Sequence, residues 1–545
     1  EGHEETEQSQ IPRIKNAIYL ELHNLQKHDV SNLLAECLYR SAEEVEDLAT
    51  LVTAKTQGNP QAIREFLNEL NRSNYIAFDR THREWSWDLE KSAQQPPTNN
   101  VGEILARDLA GLDSNTIQVL KIAACVGDEF GLDTIKRVSG MSFSETSACL
   151  NRAVAEGFLL YQGNDRQSGY HFSHDKIQQA AYLLLEGIER KQIHAQIGKT
   201  YLSQKEGEDR LFDVVNQLNN SVQDPGSDMD DPIELASLNL EAGRKAKQAG
   251  AFQASFRYLR TAIAVQGKHV WQNYELSLEI HLEAAEAAYY CGDKRQLDSI
   301  ISSTIEHATT AYDKSRAYEI QLRAFIAYGD LEVAIDIGHH VLELLGHPVS
   351  RKLYKPVLTL WVVKTLFRAR VTAQHNHKMK NRENLAAMRI LMILCHAGYL
   401  SGRAITAAYT LKMTNISLEN GLAPESSFAY PLFGALIISY FGTITTGYHF
   451  GTLALENLDE RNPELFCRAN AVVHNFISFW KHHLRDTLAP LSEAERIGFE
   501  TGDIEFAQIA ATTRCVNGFM VGQDLNTLEA NFQSKNTRAS EFNQT

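Results

Sequence analysis

From residue 236 onward the chain repeats one theme at a nearly fixed interval: a helical stretch, a short glycine turn, and a second helical stretch. The turns read KQAGAFQAS, YYCGDKRQL and AYGDLEVA, so Gly250, Gly292 and Gly329 lie 42 and 37 residues apart. The theme returns in YLSGRAITAA, YFGTITTGYHFG and MVGQDLNTL, with turn glycines at Gly402, Gly442 and Gly522. The last two are 80 residues apart, which leaves room for one more pair around KHHLRDTL. A single helix pair cannot bury its apolar face, so units of this kind must stack on their neighbours.

A period of about 34–47 residues with two helices per unit is the signature of a tetratricopeptide-like (TPR-like) α-solenoid. Residues 236–545 are therefore expected to form a helical-repeat domain, and the fold class to be mainly α. The aromatic and small residues beside each turn read as packing residues rather than as a cofactor box. Stacked repeats leave a long surface for a protein or peptide partner.

One segment breaks the array. Residues 351–382 hold nine Lys or Arg and no acid, in RKLYKPVLTLWVVKTLFRAR and HNHKMKNR. The plainer reading is a solvated basic insertion with one buried helix. The other is an amphipathic contact with a membrane surface or an acidic partner. The HNH at His375–His377 stands without the acids or fold of a nuclease and is a chance match. The longest apolar runs, from Pro356 and Pro431, are too short to span a bilayer.

Ahead of the repeats the pattern changes. Residues 14–22 alternate as a strand, and a helix follows. Residues 41–98 read as two helices joined through QGNP, where Gly58 suits a helix end and Pro60 a helix start, followed by a hairpin. Residues 99–202 read as three helices, the hairpin FLLYQ/YHFS and a further helix, the order of a winged-helix domain. Its third helix carries Glu145 and Glu156 against Arg152 alone, poor material for phosphate contacts, so nucleic acid is not expected as a partner. Residues 203–235 read as a connecting helix and an acidic Pro/Gly linker.

Net charge is −15, against coating nucleic acid or an anionic membrane with the whole chain. Seven scattered cysteines with no metal-ligand spacing fit a reducing, cytoplasmic setting and give no metal site. The chain opens on polar EGHEETEQSQ without a methionine, so a fragment is expected. IGKT at Ile197–Thr200 imitates the end of a P-loop, but Ile193 stands where the first glycine belongs and the stretch is helical. No catalytic centre is expected in this chain by itself.

In GYHFSHDKIQQAAY, Ser173, His174 and Asp175 are adjacent, and neighbours on a helix point about 100° apart. They cannot form one relay. On spacing alone Ser173 reads as an N-cap with His174 in the first turn.

Beside these motifs the sequence resembles a known group. IYLELHNLQKHDVSNLLAECL, LVTAKTQGNPQAIREFL, FDRTHREWSWDL, VLKIAACVGDEFGLDTI, FSHDKIQQAAY, LFDVVNQLN, NLAAMRILMILCHAGY and GYHFGTLAL, in that order, look like the STAND-type AAA ATPase module of large sensor histidine kinases and serine/threonine kinases. The resemblance implies a remnant of an α/β nucleotide-binding core in residues 1–40, its P-loop half lying outside the sequence. It implies a helical lid over 41–98, then the winged helix and the sensor repeats. It also implies that Gly58, Asn59 and Pro60 form the turn beside the nucleotide's base and sugar, and that His174 touches the β-phosphate of ADP. Where the family has two apolar residues after the proline, Gln61 and Ala62 stand here. ATP or ADP would bind only with the P-loop half, and kinase domains of the same protein would receive the signal. A nucleotide-independent scaffold is the competing expectation.

Overall fold

The computed structural model describes most of residues 23–530; outside the described residues lie 1–22, 81, 96–108, 110, 165–166, 204–209, 223–231, 268–269, 351–354, 373–376, 403, 460, 531–532 and 534–545. The chain divides into two compact units, Glu1–Gln223 and Asp224–Thr545.

The first unit opens with helices α1 (Lys27–Leu38), α2 (Glu46–Thr56) and α3 (Pro60–Arg72). The hairpin β1 (Ile76–Asp79) and β2 (Glu84–Trp87) and the short helix α4 (Leu89–Gln94) follow. Val30 and Leu34 on α1, Leu48 and Val52 on α2, and Ile63, Phe66 and Leu70 on α3 recur at helical spacing and share one core. The hairpin is antiparallel with Ile76 opposite Trp87, and the Arg40 guanidinium ties it to the end of α1 by donating to the Trp85 carbonyl at 3.2 Å. The strand expected over 14–22 lies outside the described residues.

Next come α5 (Ser114–Val126), strand β3 (Glu129–Phe130), α6 (Leu132–Ser139), α7 (Phe143–Ala155), the hairpin β4 (Leu159–Asn164) and β5 (Gln167–Phe172), and helices α8 (Asp175–Leu183), α9 (Gly187–Leu202) and α10 (Leu211–Ser221). Three helices and a hairpin stand where the sequence pattern puts them. A strand of two residues carries no period, so β3 was not readable; it pairs with β5 to give the sheet order β3-β5-β4.

Helix α10, read from sequence as part of a connector, packs along α9. A buried chain of hydrogen bonds holds it there. The Tyr182 hydroxyl meets His194 Nε2 at 3.1 Å, His194 Nδ1 meets Gln217 Oε1 at 2.6 Å, and Gln217 Nε2 donates to the Cys125 carbonyl at 2.7 Å. The IGKT tetrapeptide lies inside α9. Gly198 is there for close packing, since a Cβ would sit 2.6 Å from Leu218 Cδ2 on α10.

The second unit is built of helix pairs: α11 (Pro232–Gln248) with α12 (Phe252–Gln266), α13 (Tyr274–Tyr290) with α14 (Lys294–His307), and α15 (Ala311–Ala327) with α16 (Leu331–Leu344). After α17 (Lys355–Thr372) the pairs resume as α18 (Arg382–Leu400) with α19 (Thr406–Asn420), α20 (Ser426–Phe441) with α21 (Ile444–Glu456), and α22 (Pro463–Phe476) with α23 (Leu488–Thr501). Helix α24 (Ile504–Met520) closes the series. The pair expected around KHHLRDTL is α22 and α23, joined by two short 3-10 turns.

First helices of successive pairs pack on one another, α11 on α13, α13 on α15, α15 on α18 and onward to α24, so the pairs stack as a solenoid. The turn glycines Gly250, Gly292, Gly329, Gly402, Gly442 and Gly522 have φ between +63° and +81°, with open space around each. Their requirement is the left-handed backbone itself. Gly434 and Gly447 serve differently, for each added Cβ would lie within 2.7 Å of the other's carbonyl oxygen, and α20 and α21 touch there.

Charge also stitches the first row. Glu279, Glu283 and Glu286 on α13 pair with Arg244 and Lys247 on α11, and Glu279 with Arg316 on α15, at 2.5–2.8 Å. Burial raises the Glu283 pKa, but hydrogen bonds from Lys247 and Arg244 outweigh it and leave the carboxyl below its usual value.

The basic segment does interrupt the array. Helix α16 packs directly on α18, while α17 lies aside against α19. Expected as a buried helix, α17 is only half-buried. Val362 and Thr365 face the protein, and Leu360, Val363 and Phe367 are exposed. His377 and Met379 exchange backbone hydrogen bonds with Leu422 at 2.9 Å, so the HNH tripeptide ends in a structural bridge.

Candidate functional site

Helix α2 ends in two successive left-handed residues, Gln57 (φ 53°) and Gly58 (φ +74°). The Gly58 carbonyl accepts from Leu25 N at 2.8 Å, and the Gln57 carbonyl from Asn24 Nδ2 at 3.1 Å. A Cβ on Gly58 would lie 2.0 Å from the Leu25 carbonyl oxygen. Position 58 must therefore be glycine twice over, for its dihedral and for the segment pressed against it. Asn59 caps α3, its Oδ1 accepting from Ala62 N at 3.1 Å, and Pro60 opens the helix. Gly58 is buried while Asn59 and Pro60 are exposed, so the turn is anchored from beneath and open above. Ala62 and Ile63, just after it, are buried.

His174 corrects a detail of the sequence reading. It is itself the N-cap of α8, with extended dihedrals (φ −162°, ψ 141°), and not a first-turn residue. Its Nδ1 accepts from the Lys176 backbone N–H at 3.1 Å. Ser173, expected to be the cap, donates its hydroxyl to the carbonyls of Gly157 at 2.7 Å and Phe158 at 3.2 Å. The reason is local: the Gly157 carbonyl just past the end of α7 claims the hydroxyl first. Because Nδ1 must keep its lone pair, the ring proton sits on Nε2, and a neutral imidazole presents one N–H donor at a helix N-terminus. The positive end of the helix dipole favours an anion there.

Gly58, Asn59 and Pro60 thus share one turn, and His174 starts a separate helix. The clamp from Asn24 and Leu25 was not legible, since contacts across more than thirty residues leave no local pattern. Among the described residues no group of three His, Cys, Asp or Glu could hold a metal ion, and no helix is long and apolar enough to cross a membrane. All seven cysteines are free.

The repeats present a second feature. Tyr290, Tyr328, Tyr399, Tyr440, Phe476 and Phe519, all at the C-terminal ends of first-row helices, are exposed. From the second pair onward, at least one exposed aromatic stands beside each turn.

The geometry thus defines a mainly α protein that joins a mixed helical unit to a stacked-repeat unit. No protein-family model matches the sequence. The chain is 23% identical over 599 aligned residues to "Hybrid signal transduction histidine kinase G" of Dictyostelium discoideum, an alignment covering 92% of this chain and 17% of that protein. The chain therefore spans under a fifth of the length of that relative. A crystal structure of a Signal Transduction ATPase with Numerous Domains protein with a tetratricopeptide repeat sensor, from Pyrococcus horikoshii, overlaps it with a TM-score of 0.33 at 13% identity, over 94% of this chain and 72% of that one. An overlap that loose adds nothing to the fold read above.

Proposed function

We propose that this chain is the regulatory and sensor portion of a STAND-type signalling ATPase. In this reading the first unit is lid and winged helix, the second is the sensor, and the output is a kinase of the same full-length protein. His174 is the observation that carries it. An N-cap imidazole whose Nδ1 is occupied by a backbone amide has Nε2–H left for an anion's oxygen, at the positive end of a helix dipole. The relative named as a histidine kinase, aligned over nearly all of this chain, supports the signalling role.

The residues suit ADP or ATP in kind. Pro60 and Asn59, exposed on a turn that Leu25 and Asn24 hold from below, would border the base and sugar, and His174 would bind a phosphate oxygen. The nucleotide would supply the charge that joins these elements to the P-loop core. Closure with ADP would then be the silent state, and partner binding to the repeats would favour release. The exposed aromatics at the helix ends supply anchors for a protein or peptide, since aromatic side chains dominate such contacts. DNA reading by α7 is disfavoured, because its Arg152 is paired with Asp113 at 3.1 Å.

The test is nucleotide-dependent compaction of the full-length gene product. ADP should slow proteolysis of the first unit, and a peptide or protein partner of the repeats should reverse the effect. Equal proteolysis with and without ADP would favour the scaffold alternative.

A further inference from the structure

Helix α17 does more than interrupt the solenoid. Between it and α19, α20 and α21 lies a cavity of about 520 Å³, well within the ~300–1,000 Å³ of ligand clefts. Its wall is mixed: Leu366, Leu422, Phe450 and Leu453 supply the apolar part, and Arg370, Tyr430, His449 and Asn457 are among the polar residues. Two polar groups on that wall can hold a ligand's head. Tyr430 is 4% exposed, yet its hydroxyl makes no hydrogen bond to any described residue. The phenol lines the cavity, where a ligand atom or water can reach it.

Arg370 is the other. Two residues earlier, Arg368 is bound to Glu419 and to Asn415. Arg370 lines the cavity, is exposed on its outer side, and has no ion pair among the described residues. No carboxylate is among the residues that line the space. A chamber with an apolar side, a guanidinium and a phenol suits a molecule with a greasy body and one anionic head.

We propose that this cavity binds a small amphipathic anion, its apolar body between α17 and α20 and its carboxylate or phosphate on Arg370, with Tyr430 donating to the same ligand. Burial raises the Tyr430 pKa to about 12, so the phenol keeps its proton and can donate. The binding claim stands by itself; only its role as an input to the switch rests on the function proposed above.

Isothermal titration of the whole chain with dodecanoate, dodecyl phosphate, dodecylamine and dodecanol tests it. At least one of the two anions should bind more tightly than both the amine and the alcohol, and which one it is identifies the head group. Arg370→Gln, at an exposed position, should weaken that anion by about tenfold or more, the worth of a hydrogen bond to a charged group. It should leave dodecanol unchanged. Leu453→Trp, with helicity checked by circular dichroism, should abolish binding of all four. Equal affinity for amine and anions, no effect of Arg370→Gln, or no binding at all would each overturn the site. Such a failure would leave nucleotide binding by the first unit to its own test.

Discussion

Replacing Gly58 with alanine tests the turn at which the first unit is clamped. A left-handed alanine costs about 1–2 kcal/mol. The added Cβ would lie 2.0 Å from the Leu25 carbonyl oxygen, which is backbone and cannot rotate away. The strand of chain at Leu25 must move, and the Leu25 N–H bond to the Gly58 carbonyl at 2.8 Å goes with it. That bond is worth about 1 kcal/mol and the overpacking about 1–3. The total is roughly 3–6 kcal/mol, concentrated on α1, α2 and the start of α3. Gly140 is the control, because it has a similar φ of +71° and open space around it. Gly140→Ala should cost only the backbone share of about 1–2 kcal/mol. Amide exchange by mass spectrometry reads both as local opening. Exchange over α1 to α3 should quicken in Gly58→Ala about thirtyfold more than exchange over α6 does in Gly140→Ala, at ~1.4 kcal/mol per decade. Equal effects of the two variants would refute the clamp.

The chain as given should neither turn over ATP nor bind it tightly, for its sequence holds no G-x-x-x-x-G-K-[ST] pattern; steady hydrolysis by pure protein, lost in His174→Ala, would contradict this. Burial holds the His474 pKa down at about 4 from a usual 6.5, so the unfolded state takes up its proton first. The stability contributed is complete above pH 6.5 and should fall by about 3 kcal/mol between pH 6.5 and 4. Urea melts of the repeat unit, with His474→Gln flattening that pH dependence, check it. Gly447→Ala should destabilise the α20–α21 pair by about 1–3 kcal/mol, because the Cβ meets the Gly434 carbonyl oxygen at 2.7 Å. An unchanged thermal midpoint in Gly447→Ala would show that the two helices can part at no cost.

The repeats were the most legible part of the chain because their signal is local and recurs. Each turn glycine needs a left-handed backbone, and Gly292 or Gly329 declares this within a few residues. Gly58 declared itself as a helix end in the same way, but the Leu25 carbonyl that forbids a side chain there is distant in sequence. The site's finer chemistry was legible only in part. The SHD stretch pointed to a cap, yet which side chain caps depended on the Gly157 carbonyl, placed by the fold of α7 onto the hairpin. The unpaired phenol of Tyr430 and the cavity beside it come from four helices meeting, and no spacing in one segment reports that.

The central claim is that His174 reads nucleotide, and its most direct measurement is the ADP affinity of the full-length gene product with and without that side chain. His174→Ala should weaken ADP by about tenfold to a hundredfold, the loss of one hydrogen bond to a charged group. An accompanying His174→Asn, which restores an N-cap, should return the stability of α8 but not the affinity. Identical ADP affinity in wild type and His174→Ala would reduce His174 to a helix cap and the chain to a scaffold.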